Sequence, residues 1–508
     1  MFDRIRTVCI LLAILALLSP AASLAQEIKS SAQEIKVVPF PKSYERGEGR
    51  LILNADCRIA AAEASLLPLA KVAVEDLRLL FGAKSHAAKG EPEGGGIELK
   101  IDSQLQGEAY KIEVSDRVAV SGGNFKGIAW GFVTLLQAAE AENGRVVVPR
   151  MKIADQPYAS YRGFTLDLAR TWHPIEVVKQ AVVLCRWYKI GYLQLHFNDD
   201  QSWTFPSKAY PQLATPGRQY TLEELHELES FAAARGVTIV PEMESPGHGG
   251  AILQALPEVV GNDPSAAGAN ALCPGRESTY QALDTLIGEV CEVFPSTSYF
   301  HIGADEVNTS AWTQCKHCIE YRKQHDIENE EEQYRHFINR MNDLVKKHGK
   351  RTIVWEGFSV TGKIPVSKDI TFMEFESLYE LPQNYVAAGY TVINTAWQPL
   401  YIVNARNWSP EKIHSWNMYR WENWWDQSKA YPNGIDVPET PLIIGAEMCA
   451  WEQPAKDEIP SARQRLAAMS ERVWDHKTRR TFADFSNRLE STDAKLTKLL
   501  QMPPAAQE

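Results

Sequence analysis

From about position 158 onward, short apolar runs alternate with stretches in which apolar residues recur at helical spacing. The runs occupy 163–168, 192–197, 237–241, 299–303, 352–355, 370–375, 391–394 and 442–446. Their nearly continuous apolar character is that of strands buried on both faces, which is the habit of a parallel sheet. The clearest helix between them opens at Thr221, has Glu224 three residues on as in a capping box, and stops at Gly236. Eight strands alternating with helices predict a (β/α)8 barrel, a TIM barrel over residues 158–480, of the α/β class. A doubly wound sheet is the second arrangement, but no Gly-rich phosphate loop follows any of the runs.

Ahead of this region the rhythm is different. Ile97, Leu99 and Ile101 alternate with polar residues, as do Tyr110, Ile112 and Val114, so both read as half-buried strands. Gly122-Gly123-Asn124 marks a turn, and a helix is expected from Gly127 to Glu142, closed by Asn143-Gly144. Residues 36–157 are therefore expected to form a small α+β domain, and 481–508 a C-terminal helix and tail. At the start, Arg4 and Arg6 precede an apolar run from Val8 to Leu18, and Ser23-Leu24-Ala25 offers small residues for cleavage. Residues 1–25 read as a signal peptide, too short to span a bilayer in the mature chain, and an exported periplasmic or extracellular protein is expected. No Cys follows the cleavage site, so no lipid anchor is expected.

Composition narrows the partners. A formal net charge of −11 argues against nucleic acid. Eight Cys, one of them in the leader, leave an odd, sparse set that is no disulfide framework. Cys315-Lys316-His317-Cys318 invites a zinc or redox reading, but no second CxxC or His pair at ligand spacing accompanies it. A local disulfide or free thiols are the expectation, with no metal and no cofactor. The fourteen Trp suit walls for sugar rings as well as ordinary core.

A barrel carries its chemistry just after its strands, and acids and Trp gather there. The second run is followed by Asn198-Asp199-Asp200, and the third by Glu242, Glu244 and Ser245-Pro246-Gly247-His248. The fourth leads into Gly303-Ala304-Asp305-Glu306, and the fifth ends at Trp355-Glu356. Trp397 and Tyr401 follow the seventh, and Trp451-Glu452 the eighth. Adjacent carboxylates repel, so at least one pKa rises; a protonated acid beside an ionised helper gives such a pair a use. Glu306 as the first turn of a solvated helix is the plainer alternative.

These segments resemble the family 20 glycoside hydrolases, the β-N-acetylhexosaminidases. The likeness runs from Arg162-Gly163 with Asp167-Leu168-Ala169-Arg170, through Leu195 to Gln201 and Pro241 to His248, to His301-Ile302-Gly303-Ala304-Asp305-Glu306, Trp451-Glu452 and Ser470-Glu471-Arg472-Val473-Trp474. The domain before the barrel resembles the one that usually precedes these barrels. The resemblance implies an exo-acting enzyme that removes terminal N-acetylglucosamine or N-acetylgalactosamine from glycans with retention, by a substrate-assisted route. Glu306 would be the general acid, and Asp305 would hold the acetamide N–H while the acetamide oxygen attacks C1. On extended backbone the two side chains would diverge. Arg162 would grip the sugar hydroxyls, Asp199 and His248 would support the acid, Trp355 and Trp451 would wall the site, and Tyr401 would bond the acetamide carbonyl.

The chain also departs from the family pattern. Ala304 stands where a second Gly is usual, and Phe375-Glu376-Ser377 where a further pocket Trp is usual, a wall that Trp397 would supply. Val403 and Gln453 stand where two acids bond O4 and O6, with Glu452 one position away. The loss of those acids makes tolerance of a 6-sulfated sugar an expectation. The segment holding Trp416, Trp421, Trp424 and Trp425 is either an aglycone wall or a packed cap. The competing classes are a metal-dependent barrel hydrolase, which lacks a His-x-His after the first strand, and a catalytically weak carbohydrate-binding relative.

Overall fold

The structure, a computed structural model, describes residues 34–500 apart from 55, 93, 264–270, 405, 478 and 479. The leader 1–25 lies outside the described residues, and none of the described helices is long and apolar enough to cross a membrane.

The first domain is a mixed sheet in the order Ser43–Ile52, Arg145–Asp155, Tyr110–Val114, Val118–Gly122, Ile97–Ile101, Arg58–Ala61, His86–Lys89, with Glu140–Glu142 paired beside Arg145–Asp155. The alternation in Tyr110–Val114 holds: Tyr110, Ile112 and Val114 are buried while Lys111 and Glu113 are exposed. The helix expected to run to Glu142 is Phe125–Ala138, with the Asn124 side chain accepting from the Gly127 N–H. Asn143-Gly144 caps no helix. Both residues have positive φ, 51° and 73°, and join two antiparallel strands, because Asn-Gly suits a tight hairpin turn better than a helix end.

The barrel strands are β1 (Tyr161–Asp167), β2 (Tyr192–His196), β3 (Thr238–Glu242), β4 (Tyr299–His301), β5 (Arg351–Trp355), β6 (Thr371–Glu374), β7 (Thr391–Asn394) and β8 (Ile443–Ala450). All eight expected runs are strands, and they pair in parallel from β1 round to β8, which closes the barrel on β1. Val240, Tyr299, Ile353, Trp355, Met373 and Ile393 fill the interior, so the barrel is a packed core with its chemistry at one end. The capping box at Thr221 forms as read: Thr221 Oγ accepts the Glu224 N–H and Glu224 returns the bond to the Thr221 N–H.

The C-terminal helix Phe482–Leu500 is a tie between the domains. Arg488 bridges Glu471 at 2.7 Å and the Val37 carbonyl at 2.7 Å, and Lys495 donates to the carbonyls of Gln137 and Ala139. Ser470 to Trp474 belong to this framework as well: Trp474 Nε1 donates to Asp155, and Glu471 is the partner of Arg488.

Candidate active site

A pocket of about 250 Å³ opens at the C-terminal end of the barrel. Arg170, His196, Glu244, Asp305, Glu306, Phe375, Trp397, Tyr401, Val403, Trp424, Trp451 and Glu452 line it. The loops after six of the eight strands thus converge on one concavity, as the barrel's construction requires.

The segment after β4 sets the geometry. Gly303, Ala304 and Glu306 all have left-handed backbone, with φ of 70°, 71° and 47°. Gly303 has no alternative, because a Cβ there would fall on the Glu244 carboxylate. Ala304 and Glu306 hold conformations that cost roughly 1–2 kcal/mol each for an L-residue, strain of the kind stored at working sites. The expected divergence of the acid pair thus comes from a left-handed turn, where extended backbone was anticipated. Tyr334 fixes the turn by donating to the Ala304 carbonyl at 2.5 Å.

The turn gives the two acids different surroundings. Asp305 is deep, its side chain 14% exposed, and its Oδ1 is buried with no partner among the described residues. Glu306 sits at the mouth with its side chain half exposed. His248 lies between them, Nε2 being 3.6 Å from Asp305 and 3.3 Å from Glu306, while Nδ1 is 3.3 Å from Asp199. Burial works against a charge on His248, yet the charge of Asp305 and the bonds to Asp199 and Glu306 outweigh it and raise its pKa to about 11. The imidazolium in turn holds Glu306 below the usual carboxylate range, chiefly through its hydrogen bond. Burial, with the charges of Glu306 and Glu242 behind it, pushes Asp305 up to about 6 against the pull of His248 and Arg170. The two carboxyls are thus shifted in opposite directions, Asp305 up and Glu306 down, the reverse of the order a general acid at Glu306 requires.

Beneath these acids lies a buried relay. Asp199 takes Arg170 at 2.7 Å and His196 at 3.0 Å, and the other ring nitrogen of His196 is 3.0 Å from Glu242. Burial opposes charge on His196, but Glu242 and Asp199 raise it to about 9. Burial, with Asp305 and Glu242 crowding it, pushes Glu244 well above its ordinary value. Glu376, also buried and facing the acid pair, is pushed up to about 9. Glu356 has a scaffolding part: its carboxylate accepts the backbone N–H groups of Glu376, Ser377, Leu378, Tyr379 and Glu380, which shapes the loop after β6.

Of the residues singled out from sequence, Asp305, Glu306, Trp397, Tyr401, Trp451 and Glu452 line the pocket, and Asp199 and His248 stand directly behind it. Three do not reach it. Arg162 starts β1 at its other end, fully buried, bound to Glu108 at 2.5 Å and to the carbonyls of Lys189 and Ala159. The arginine in the pocket is Arg170, eight residues further along the same motif. Trp355 is 1% exposed and lies one layer down, donating to Glu242 and packing on Phe375 and Trp451. Gln453 turns back to bond the Trp451 carbonyl at 3.0 Å, because left-handed backbone at Glu452 (φ 57°) points Glu452 inward instead.

Sequence reasoning gave no site role to Arg170, His196, Glu244 or Phe375. Each follows a strand or ends one, which was the available signal. The Trp-rich segment divides: Trp416 and Trp421 are buried in the cap, Trp424 lines the pocket, and Trp425 stacks on Trp397 with ring centres 5.8 Å apart.

A barrel with acids, a guanidinium and aromatic walls converging at its mouth is built like a glycoside hydrolase. The family assignment agrees: residues 159–477 match the catalytic domain of glycosyl hydrolase family 20, and residues 34–156 match domain 2 of the same family. The chain belongs to glycosyl hydrolase family 20. It is 28% identical to a β-hexosaminidase of Vibrio furnissii, over 86% of this chain and 76% of that one. It is 26% identical to one of Porphyromonas gingivalis, over 96% of this chain and 66% of that longer protein. Among solved structures it resembles the exo-β-N-acetylglucosaminidase of Vibrio harveyi in complex with N-acetylglucosamine, with a TM-score of 0.78 at 24% identity over 91% of this chain and 77% of that one. The β-N-acetylhexosaminidase of Bacteroides fragilis gives 0.77 at 24% identity, over 93% and 97%.

Proposed function

We propose that this chain is an exo-acting β-N-acetylhexosaminidase that works by substrate-assisted, retaining hydrolysis. The observation that carries the reading is the placement of Asp305 and Glu306. In the two-carboxylate retaining scheme the acids flank the scissile bond about 5–5.5 Å apart, one as nucleophile. Here both acids issue from one turn, with one imidazole in reach of each, so no carboxylate of this pair stands alone on the opposite face of the sugar. A 2-acetamido group supplies the missing nucleophile.

A sugar entering this small pocket stacks between Trp397, Trp451 and Phe375, and its hydroxyls take the free donors of Arg170. The acetamide turns down toward Asp305, whose unpartnered Oδ1 accepts its N–H, while Tyr401 meets its carbonyl. That N–H, and the positive charge that develops behind it, favour the ionised form of Asp305, so binding draws the proton off it. Covering Glu306 with substrate disfavours its charge at the same moment. Binding therefore moves the proton to the mouth, where Glu306 donates it to the glycosidic oxygen as the acetamide oxygen attacks C1. The ionised Asp305 stabilises the positive charge that develops on the closing ring. Glu306 then takes a proton from water as that water opens the ring.

The pocket closes around roughly one sugar, which supports cleavage at chain ends. Tolerance of a 6-sulfate was expected from the replacement of two acids by Val403 and Gln453. With Gln453 turned away and the Glu452 carboxylate in the lining, we take the unsubstituted sugar as preferred. Export rests on residues 1–25 alone. The deciding assay compares an aryl N-acetyl-β-glucosaminide with the matching β-glucoside: turnover confined to the first is expected, and equal rates on both would overturn substrate assistance.

A further inference from the structure

The sequence motif that the catalytic pocket leaves unused is Cys315-Lys316-His317-Cys318. Its two thiols are joined in the fold by a third, Cys273, from the loop that precedes the helix Glu277–Val293. All three are fully buried. Cys273 Sγ lies 3.6 Å from Cys315 Sγ and 3.5 Å from Cys318 Sγ, and all three sulfurs fall within 4.8 Å of one another.

We propose that Cys273, Cys315 and Cys318 bind one zinc ion. Zn–S bonds of 2.3 Å at tetrahedral angles put sulfurs about 3.8 Å apart, close to the spacing found. Cys273 is nearly equidistant from the other two, so no pair is singled out for a disulfide, and any disulfide would strand a third buried thiol. The surroundings suit thiolates. The Asp263 N–H points at Cys315 Sγ from 3.4 Å, and the backbone N–H groups of Cys318 and Gly275 lie near the sulfurs of Cys315 and Cys273. Such donors around thiolates are the outer layer that orients and tunes a metal site. Cys315 also caps the helix Lys316–Gln324, whose N-terminal dipole favours a thiolate there. Gly275 is required for this packing, since a Cβ would meet the backbone of His317 and Cys318. Soft sulfur donors select zinc over the hard cations. Among the described residues no fourth His, Cys, Asp or Glu joins the group.

The ion would clamp two loops. One contains Leu272, whose N–H bonds the Pro246 carbonyl in the His248 loop and whose carbonyl takes Trp312 Nε1. The other, the junction at Cys315 between the helices Ser310–Gln314 and Lys316–Gln324, follows Asp305 and Glu306 after one short helix. The site stands apart from the catalytic pocket and does not depend on the activity proposed above.

The test uses the full mature chain, purified without chelator. Elemental mass spectrometry is expected to find close to one zinc per chain. Chelator-treated protein given Co2+ should develop thiolate-to-cobalt charge transfer and the strong visible bands of a tetrahedral site. Peptide mapping after iodoacetamide should find Cys273, Cys315 and Cys318 protected with zinc and alkylated without it. Cys315→Ser should weaken zinc by more than the roughly 10–100-fold that loss of an outer-layer partner costs. If that variant does not fold, the cobalt titration and alkylation of the unaltered chain still decide. A disulfide between any two of the three in non-reducing peptide maps would overturn the proposal, and so would a reduced chain that takes up neither Co2+ nor Zn2+.

Discussion

The two ends of β1 make an instructive pair, because each holds an arginine among carboxylates and indole rings. At the lower end Arg162 is fully buried, donates to Glu108 and two carbonyls, and lies 5.3 Å from the Trp474 ring. Glu108 takes a further bond from Trp130, so the charges balance and the donors are used. At the upper end Arg170 lies 5.0 Å from the Trp451 ring and pairs with Asp199, but Asp305, Glu306 and Glu244 crowd in beyond what one guanidinium and two imidazoles satisfy. The lower cluster is closed and joins two domains. The upper one is open, strained and short of donors, the condition of a site awaiting a ligand that brings its own N–H. Satisfaction of polar groups, and not their abundance, separates framework from machinery here.

The sharpest way to break that contrast is Glu306→Gln. Loss of general acid help should cost ~10²–10⁴-fold in kcat/KM on glycosides with poor leaving groups. Activated aryl glycosides should suffer much less in the glycosylation step, since they need little protonation. Equal losses on both would remove Glu306 from the role.

Asp305→Asn is next, expected to lower kcat by roughly 10²–10³-fold by removing the charge that stabilises the closing ring. Its pH signature is separable. With a pKa raised to about 6, Asp305 loses its charge below that pH, and with it the stabilisation of the closing ring. The kcat/KM of the unaltered enzyme should therefore fall as pH drops through about 6, and that limb should vanish in the Asn variant. A limb of unchanged position would assign it to another group.

Exchanging the arginines tests the two ends against each other. Arg162→Ala leaves the part-buried Glu108 without its guanidinium partner and should cost about 3 kcal/mol of stability, read by denaturant titration, with KM for the sugar unchanged in the folded fraction. Arg170→Lys should do the reverse, raising KM with a modest change in stability, because a point charge cannot replace the planar fork. A raised KM in the first variant would place Arg162 in sugar binding after all.

The smallest effect is expected at Glu452. If its carboxylate guards O6, the kcat/KM ratio of 6-sulfated to unsubstituted substrate lies well below one and rises on the order of tenfold in Glu452→Gln. A ratio above one in the unaltered enzyme would restore the tolerance expected from Val403 and Gln453.

Much of this was legible in the chain. Buried parallel strands announce themselves as short apolar runs, so all eight were found within a residue or two, apart from β8, which runs on to Ala450. The acid pair stood out because adjacent carboxylates after a strand need a reason. What stayed hidden depended on backbone direction. Arg162 is an exception, since it precedes the run 163–168 and Arg170 follows it, so the rule that chemistry comes after the strands already argued for Arg170. Glu452 and Gln453 exchanged places because of a single positive φ, which no side-chain pattern reveals. Asn143-Gly144 was readable as a hairpin, since Asn-Gly is the pair a two-residue turn between antiparallel strands favours. Cys273 was the least accessible, lying 42 residues from Cys315 and joined to it only by the packing of two loops.

The central claim is that the acetamide oxygen of the substrate, and no carboxylate of the protein, attacks C1. Fluorine placed on the acetyl group withdraws electrons from that oxygen without touching the leaving group. Across the N-acetyl, N-fluoroacetyl, N-difluoroacetyl and N-trifluoroacetyl derivatives of one aryl β-glucosaminide, kcat/KM should fall steeply and monotonically with each fluorine. Rates that stay flat along the series would place the nucleophile on the protein and contradict the account.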